Sequence, residues 1–422
     1  MRAKIIRTFF TTFEPLRRPN FAIYLSGQAV SLVGTWLQVT AQGWVVWQLS
    51  QSPAALGVVA MLSALPLLIL GPWAGAWADR LDRRKLLIGT QAAAMFLAFA
   101  LALLVQINRV QLWHVYVLAL LLGIVTAYDQ TAQQAFLGDL AGIGHMQRAV
   151  NLDAMILQVS RIVGPALAGL VIGAFGAALA FWLNGLSFLV LIASLLIVRT
   201  QQARKTGQSH PLGDFVEALK FIRTQPRLQD LLAFVAWMAF FGLSVISVFP
   251  AVASQVLHGD AQTLAVLMAA FGTGVLISVV FIIPFAQEMP RPGLVVGSAV
   301  AWMGVWLGLA SFTSSLPLWL VCDVMLWLSA PVVMTMAIGL LQRMAPPDMR
   351  ARLVSLWLMV GFGMLPFGNL WIGLSAQLWD VRSAILLNGI VLFLGAGVML
   401  ARRAGLRAWT FSPQLASAPA HD

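Results

Sequence analysis

Charge is what this chain has least of. Of 422 residues, 10% are Asp, Glu, Lys or Arg and 60% are hydrophobic, whereas soluble domains carry roughly 25% charged residues. With a mean hydropathy of +0.86, no single aqueous core can hide that much apolar side chain, so lipid is the solvent for most of the chain. Acidic residues are rarer than basic ones, 15 against 26. The basic residues fall in short gaps between apolar runs rather than on one soluble face, which excludes nucleic acid as a partner. One cysteine, Cys322, excludes an intrachain disulfide and a cysteine-based metal site. The five histidines stand near ends or loops, which disfavours a histidine proton relay. No metal-ligand cluster, nucleophile with a base or phosphate-binding glycine loop occurs, so no metal or cofactor is implied. An integral-membrane enzyme, a signalling protein or direct ATP drive has nothing to stand on.

What is present is a series of apolar runs of about 20 residues or more, the length that crosses a bilayer as helix. They lie near Phe21–Trp47, Ala54–Trp77, Leu86–Gln106, Leu112–Leu140, Ala149–Ile172, Ala177–Val198, Leu228–Ala253, Leu264–Phe285, Leu294–Phe312, Leu316–Leu341, Leu353–Leu378 and Ala384–Ala401. The first is too long for a signal peptide and no small-residue cleavage site follows it. Twelve spans put both termini on one side. If that side is the cytoplasm, 23 of the 26 Lys and Arg lie inside, as the positive-inside bias requires. The expectation is an all-α, multi-pass protein of the bacterial inner membrane, with both termini cytoplasmic and membrane lipids as its surroundings.

Residues 200–226 form the only long internal linker. Within it Pro211–Arg223 reads as an amphipathic helix on the inner membrane surface, with Leu212, Phe215, Val216, Leu219 and Ile222 as its apolar stripe. It separates a six-helix bundle over 1–199 from another over 227–403, and 404–422 reads as a disordered cytoplasmic tail. Arg148 and Arg352, Gly164 and Gly368, Gly169 and Gly373, Asn184 and Asn388, and Gly185 and Gly389 all stand 204 positions apart. A constant offset over that distance indicates a parallel repeat, two like halves rocking about a central site.

Polar residues inside the spans mark where such a site lies. Gln28, Ser31, Thr35, Gln38 and Gln42 share one face of the first helix. That face either lines a cavity or supplies interhelical hydrogen bonds, worth well under about 2 kcal/mol each. Arg161 and Asp129 come to similar depth, about 18 Å and 16 Å from the shared turn at 1.5 Å per residue. Antiparallel neighbours would make them an ion pair, either a titrating one that couples protons to transport or a permanent structural one. Gln133, Asn151 and Gln158 fall nearby, with Asp153 closer to the surface. Asp323 is a second deep acid. Trp36, Trp237, Phe240 and Phe241 lie deep enough to line a pocket for an aromatic or amphiphilic ligand. Trp113, Trp319, Trp379 and Trp409 sit where interfacial anchors belong.

The densest charge, GAWADRLDRRK from Gly75 to Lys85, occupies the turn between the second and third spans. It resembles the signature of the major facilitator superfamily at that place, and RIVGPALAG, Arg161 to Gly169, resembles the helix-five motif of its antiporters. The run from Tyr128 to Arg199, with RARLVSL and PFGNLWIG later, is similar to the branch containing enterobactin exporters and related efflux proteins. The resemblance implies two six-helix, pseudo-symmetric bundles working by alternating access. It implies a latch in which Asp79 meets Arg350 and Arg352, with Arg80, Arg83 and Arg84 gating or setting topology. Gly164 and Pro165 are implied as a bend and close-contact point. The function so implied is proton-coupled export of a small amphiphilic compound such as a siderophore, drug or metabolite, by a monomer. The alternative within the same architecture is movement of lysophospholipid or another lipid.

Overall fold

The computed structural model describes residues 14–142, 145–198, 211–346 and 349–403. Among them the regular structure is helical, as the bilayer demands of a chain that must satisfy its backbone polar groups internally. After a short turn at Glu14–Arg17 come α1 (Pro19–Ser50), α2 (Pro53–Arg80), α3 (Arg83–Gln106), α4 (Leu112–Ala141), α5 (Met146–Phe175) and α6 (Ala177–Ile197). The linker helix is α7 (Pro211–Arg223). Then follow α8 (Pro226–Phe241), α9 (Ala261–Ile277), α10 (Pro292–Ser311), α11 (Leu316–Trp327), α12 (Ser329–Met344), α13 (Arg350–Gly363), α14 (Leu365–Leu378) and α15 (Val381–Arg402). The tail from 404 lies outside the described residues.

Eleven helical segments among the described residues are long and apolar enough to cross a membrane. The expected count of twelve is therefore not reached on composition. Helix α1 has the length, 32 residues and none charged, but its glutamines, serines and threonines dilute its hydropathy. Several spans are also broken where the expectation was one smooth helix. The seventh leaves α geometry after α8 at Gly242 and continues as a 3-10 turn at Leu243–Val248, a short α turn at Phe249–Ala251 that contains Pro250, and a π turn at Val252–Val256. A proline there has no N–H to give to the helix ladder. The eighth carries a π turn at Ser278–Ile282, and the tenth breaks at Leu328 between α11 and α12. These two breaks meet, since the Ser278 hydroxyl donates to the Leu328 carbonyl at 2.5 Å.

Helix ends follow the residues that can cap them. Pro19 opens α1 at the position where a missing N–H costs nothing. Asp82 accepts from the Lys85 backbone N–H at 3.1 Å, and Asp260 accepts from Gln262 and Thr263. One residue, Gly176 with φ +82°, turns α5 into α6. Only glycine takes that backbone without strain.

Helices α1 to α6 pack on one another through α1 with α6, α2 with α4, and α3 with α4 and α6. The later helices pack through α10 with α15 and α9 with α11. The two sets meet along two seams, α5 against α9 and α2 against α14. The 204-residue offset is visible in contacts. Asn184 donates to Gln38 Oε1 at 2.7 Å, tying α6 to α1, and Asn388 donates to the Phe241 carbonyl at 3.0 Å, tying α15 to α8. Arg148 pairs with Glu14 and Arg352 with Glu217. In each case an arginine that opens the fifth helix of a half meets a glutamate that precedes the half's first helix.

In the linker helix Ile222 of the expected apolar stripe is buried beside Ala218, and the helix lies against α13; the side chains of Leu212, Phe215 and Val216 lie outside the described residues. Trp319 is buried against Phe249 with ring centroids 5.6 Å apart, while Trp113 and Trp379 are exposed as interfacial anchors should be; Trp409 lies outside the described residues.

At the start of α15, Asp380 accepts from the Ser383 hydroxyl at 2.6 Å and from its backbone N–H at 2.9 Å. These bonds hold the Asp380 carboxyl below its ordinary value of 3.8. A depressed carboxyl contributes its stability above the unfolded-state pKa and loses it as pH falls through the lower folded one. Asp380→Ala should destabilise the protein by about 1 kcal/mol at neutral pH, seen as a lower unfolding midpoint, and the difference from the parent should shrink below about pH 4.

Candidate functional site

The site is built on α5, whose sequence gives it two unlike faces. Val159, Val163 and Leu170 are exposed on one side, Leu170 by 67%, as suits a lipid contact. On the opposite face Asn151, Ala154, Gln158 and Arg161 follow one another at helical spacing. Asn151 and Ala154 are exposed, and Gln158 and Arg161 are half-buried. Further along that face Pro165, Ala168 and Ile172 are buried. The α5 face therefore lines a cleft that opens toward the ends carrying Arg18 and Arg403, here termed the terminal face, and closes just beyond Arg161.

What closes it is backbone proximity. A Cβ on Gly57 of α2 would stand 2.5 Å from the Asn369 carbonyl and 3.0 Å from Gly373 Cα on α14. One on Gly373 would stand 2.7 Å from the Pro53 carbonyl. Beside them, Ser52 donates to Gln377 Oε1 at 2.7 Å across the same seam. On the other seam Gly169 sits against Ala265, and Gly272 has its α-carbon side against the Arg161 carbonyl. Gly164 holds α5 close to α1, where a Cβ would meet Trp36 Cβ at 2.6 Å. Pro165 is buried within a continuous α5.

The Arg161 guanidinium occupies the rim of this closure. Its Nη1 donates to Gln158 Oε1 at 3.0 Å, and its carbon lies 5.2 Å from the Trp36 ring centroid and 5.5 Å from that of Phe271. Trp36 and Phe271 are 6.0 Å apart, and Phe271 meets Trp327 edge-on at 4.5 Å. Trp327 Nε1 then donates to Asp323 Oδ1 at 2.8 Å. Asp323 is 0% exposed, and its Oδ2 has no partner. A chain of aromatic rings thus connects a deep cation of the first half to a deep acid of the second.

The expected Asp129–Arg161 ion pair does not form. Asp129 Oδ1 accepts instead from Thr90 at 2.6 Å and Gln91 at 2.8 Å on α3. Equal depth on neighbouring helices does not set the direction around the helix axis, and α4 turns this carboxylate toward α3. Near it, the buried Tyr24 hydroxyl lies among Gln133, Asp129 and Asp153. Asp153 Oδ1 is buried without a partner, so the residue is less solvated than its position near the helix start implied. Tyr24 was missed, although it extends the α1 stripe one step before Gln28.

That stripe is divided. Gln28, Ser31 and Gln38 are buried, and Gln38 is spent on Asn184. The Thr35 hydroxyl returns to the Ser31 carbonyl, and Gln42 is half-buried. The interhelical-bond alternative thus describes Gln38, while the cleft side of α1 is marked by Trp36. Trp237, Phe240 and Phe241 form an internal cluster with Trp371, in which Trp237 Nε1 donates to the Val391 carbonyl at 3.2 Å. Trp237, Phe240 and Phe241 are all half-buried, with Trp237 against Gly395 of α15 and the Phe240 backbone against Gly368 of α14.

The expected gating residues are engaged locally. Arg83 Nη1 is 2.9 Å from both carboxylate oxygens of Asp139. Arg84 donates to the Leu195 and Leu196 carbonyls at 2.5 Å each, capping the end of α6. Arg350 reaches the Ala345 carbonyl at 3.4 Å, and Arg352 holds Glu217. The side chains of Asp79 and Arg80 lie outside the described residues.

A family model described as a transmembrane secretion effector matches residues 10–421. The chain is 21% identical to the staphyloferrin A transporter of Staphylococcus aureus, over 87% of this chain and 92% of that one. It is 22% identical to macrolide efflux protein A of Streptococcus pyogenes, over 88% and 93%. Among solved structures, a bacterial homolog of the human lysosomal transporter Spinster, inward-facing and unoccupied, superposes with a TM-score of 0.73 at 15% identity, over 94% of this chain and 99% of that one. These relatives are transporters and not enzymes.

If the glycine seam is what seals the cleft, widening it must loosen the seal. In a Ser52→Cys, Gln377→Cys background, oxidation should cross-link the two positions efficiently. Adding Gly57→Leu should cut the cross-linked fraction several-fold, measured by mobility shift after cleavage between the halves.

Proposed function

Because the chain belongs to the transmembrane secretion effector family of major facilitator transporters, we propose that it exports a small amphiphilic compound, a siderophore, drug or metabolite, by alternating access driven by proton entry. It is a multi-pass membrane protein. In this reading α1 is the twelfth span, its polar side chains being sheltered inside the first bundle, and the terminal face is cytoplasmic because 23 of the 26 Lys and Arg fall there. The working parts are bundles over 1–199 and 227–403, joined by the 200–226 linker.

The observation that carries the proposal is the α5 cleft, open at one face, sealed at the other by cross-half helix contacts, and polar at its inner end. Two sets of helices that touch closely at one end and part at the other form one limb of a rocking cycle. The staphyloferrin and macrolide relatives support efflux of amphiphilic compounds as the chemistry. Asp79 with Arg350 and Arg352 would latch the cytoplasmic face in the other limb.

Proton coupling is assigned to Asp129, with Asp323 as a second acid. A charge at bilayer depth costs at least about 2.5 kcal/mol, so loading a proton there changes which arrangement of helices is favoured. Asp129 accepts from Thr90 and Gln91 on α3 through Oδ1, which leaves Oδ2 to take the proton. Transport of staphyloferrin A and of a macrolide into proteoliposomes, with and without an imposed pH gradient, tests the reading. Asp129→Asn should abolish gradient-driven transport while leaving substrate exchange intact. Unchanged gradient-driven flux would remove Asp129 from coupling, and no transport of any compound would remove the export reading itself.

A further inference from the structure

Arg161 is a cation at membrane depth with no anion to meet it. None of its described contacts is a carboxylate. Nη1 is spent on the neutral Gln158 amide oxygen, and two aromatic rings flank the plane of the group. Nε is buried with no hydrogen-bond partner. The side edge of the guanidinium, Nε with Nη2, is therefore vacant of acceptors, and this is the edge that takes a carboxylate or phosphate in two parallel hydrogen bonds. Leaving a desolvated charge unpaired is unfavourable, and the described partners of Arg161 are all neutral. Cation–π contact with the two rings offsets part of that cost.

Among the described residues, the deep acids do not meet Arg161. Asp129 accepts from Thr90 and Gln91, and Asp323 is held by Trp327 with Phe271 between it and Arg161. Asp139 is taken by Arg83. Asp153, whose Oδ1 is buried, lies beside Tyr24 on a different face of α5. The approach to Arg161 is open nonetheless, along Ala154 and Asn151, which are exposed on the cleft face. Gly164 and Gly272 bring α1 and α9 close enough that the two rings fix the guanidinium.

We propose that Arg161 is the anion-recognition point of the transported compound, pairing with a carboxylate or other oxyanion carried on an apolar, ring-bearing body that rests against Trp36 and Phe271. The assignment rests on the export reading above and narrows its substrate to anionic amphiphiles. The same group, when empty, is an unpaired charge at the seam between the halves. Its neutralisation by the substrate is a differential interaction of the kind needed to favour closure of the cleft.

The test uses full-length protein in nanodiscs of phosphatidylcholine, so that no anionic lipid competes. Radiolabelled 1-naphthoate and 1-naphthylmethylammonium share a ring body and differ in charge. Equilibrium dialysis should show the anion held at least tenfold more tightly. Arg161→Gln should erase that preference. Arg161→Lys, which keeps the charge and loses the fork, should retain the preference at reduced affinity. Unfolding midpoints of both variants check folding, and the Lys variant carries the comparison if the Gln variant is unstable. Displacement of naphthoate by lysophosphatidylglycerol would identify a lipid phosphate as an alternative source of the oxyanion. Absence of naphthoate binding, equal or stronger binding of the ammonium compound, or an unchanged preference in Arg161→Gln would overturn the proposal. Proteoliposome transport run in parallel separates the two readings. Transport that proceeds in Arg161→Gln as in the parent refutes the anion site alone, whereas charge-selective binding without transport of any compound refutes export alone.

Discussion

The structure depends on how closely helix backbones approach across the line between its two halves. Along α2 and α14, Gly57 and Gly373 leave no room for a side chain between them, and along α5 and α9 the same is true at Gly169 and Gly272. Lipid offers no hydrophobic drive for helices to associate, so van der Waals contact at such small residues carries the attachment. Because these close contacts lie at and beyond Arg161 on α5, the remainder of that helix is free to line a cleft. The position of Arg161 follows directly, since it is the last polar residue before the backbones close.

Deep charges are accommodated without ion pairs between spans. Asp129 uses a hydroxyl and an amide from α3, Asp323 uses an indole N–H, and Arg161 uses an amide oxygen and two ring faces. Each of these partners is neutral, so each charge remains uncompensated as a charge. Ion pairs are instead found near the helix ends at the terminal face, as in Arg83 with Asp139 and Arg403 with Asp230. The division separates charges that fix the architecture from charges left available to protons or substrate.

The internal repeat has been preserved in some contacts and specialised in others. The asparagines at 184 and 388 still tie the last helix of each half to its first, although one reaches a glutamine side chain and the other a backbone carbonyl. The helix that Asn388 reaches stops being α-helical at Gly242, one residue after Phe241. The second half accordingly carries the π turns and breaks, and Ser278 stitches two of them together at Leu328. The first half carries the polar stripe and the cleft-lining arginine.

Hydropathy and charge distribution were enough to establish a helical, multi-pass membrane protein, because the bilayer imposes one length and one backbone solution on every segment. The resemblance in Gly75–Lys85 and Arg161–Gly169 was likewise local, and the family model confirms it. Depth along a span was also legible, which is why Arg161, Asp129 and Asp323 stood out. Azimuth was not. Whether Gln38 faced a cavity or α6, and whether Asp129 met Arg161 or Thr90, depended on which neighbour occupied each side of the helix. Helical periodicity groups residues on a face without saying what that face meets, and only the packed arrangement of the two halves decides it.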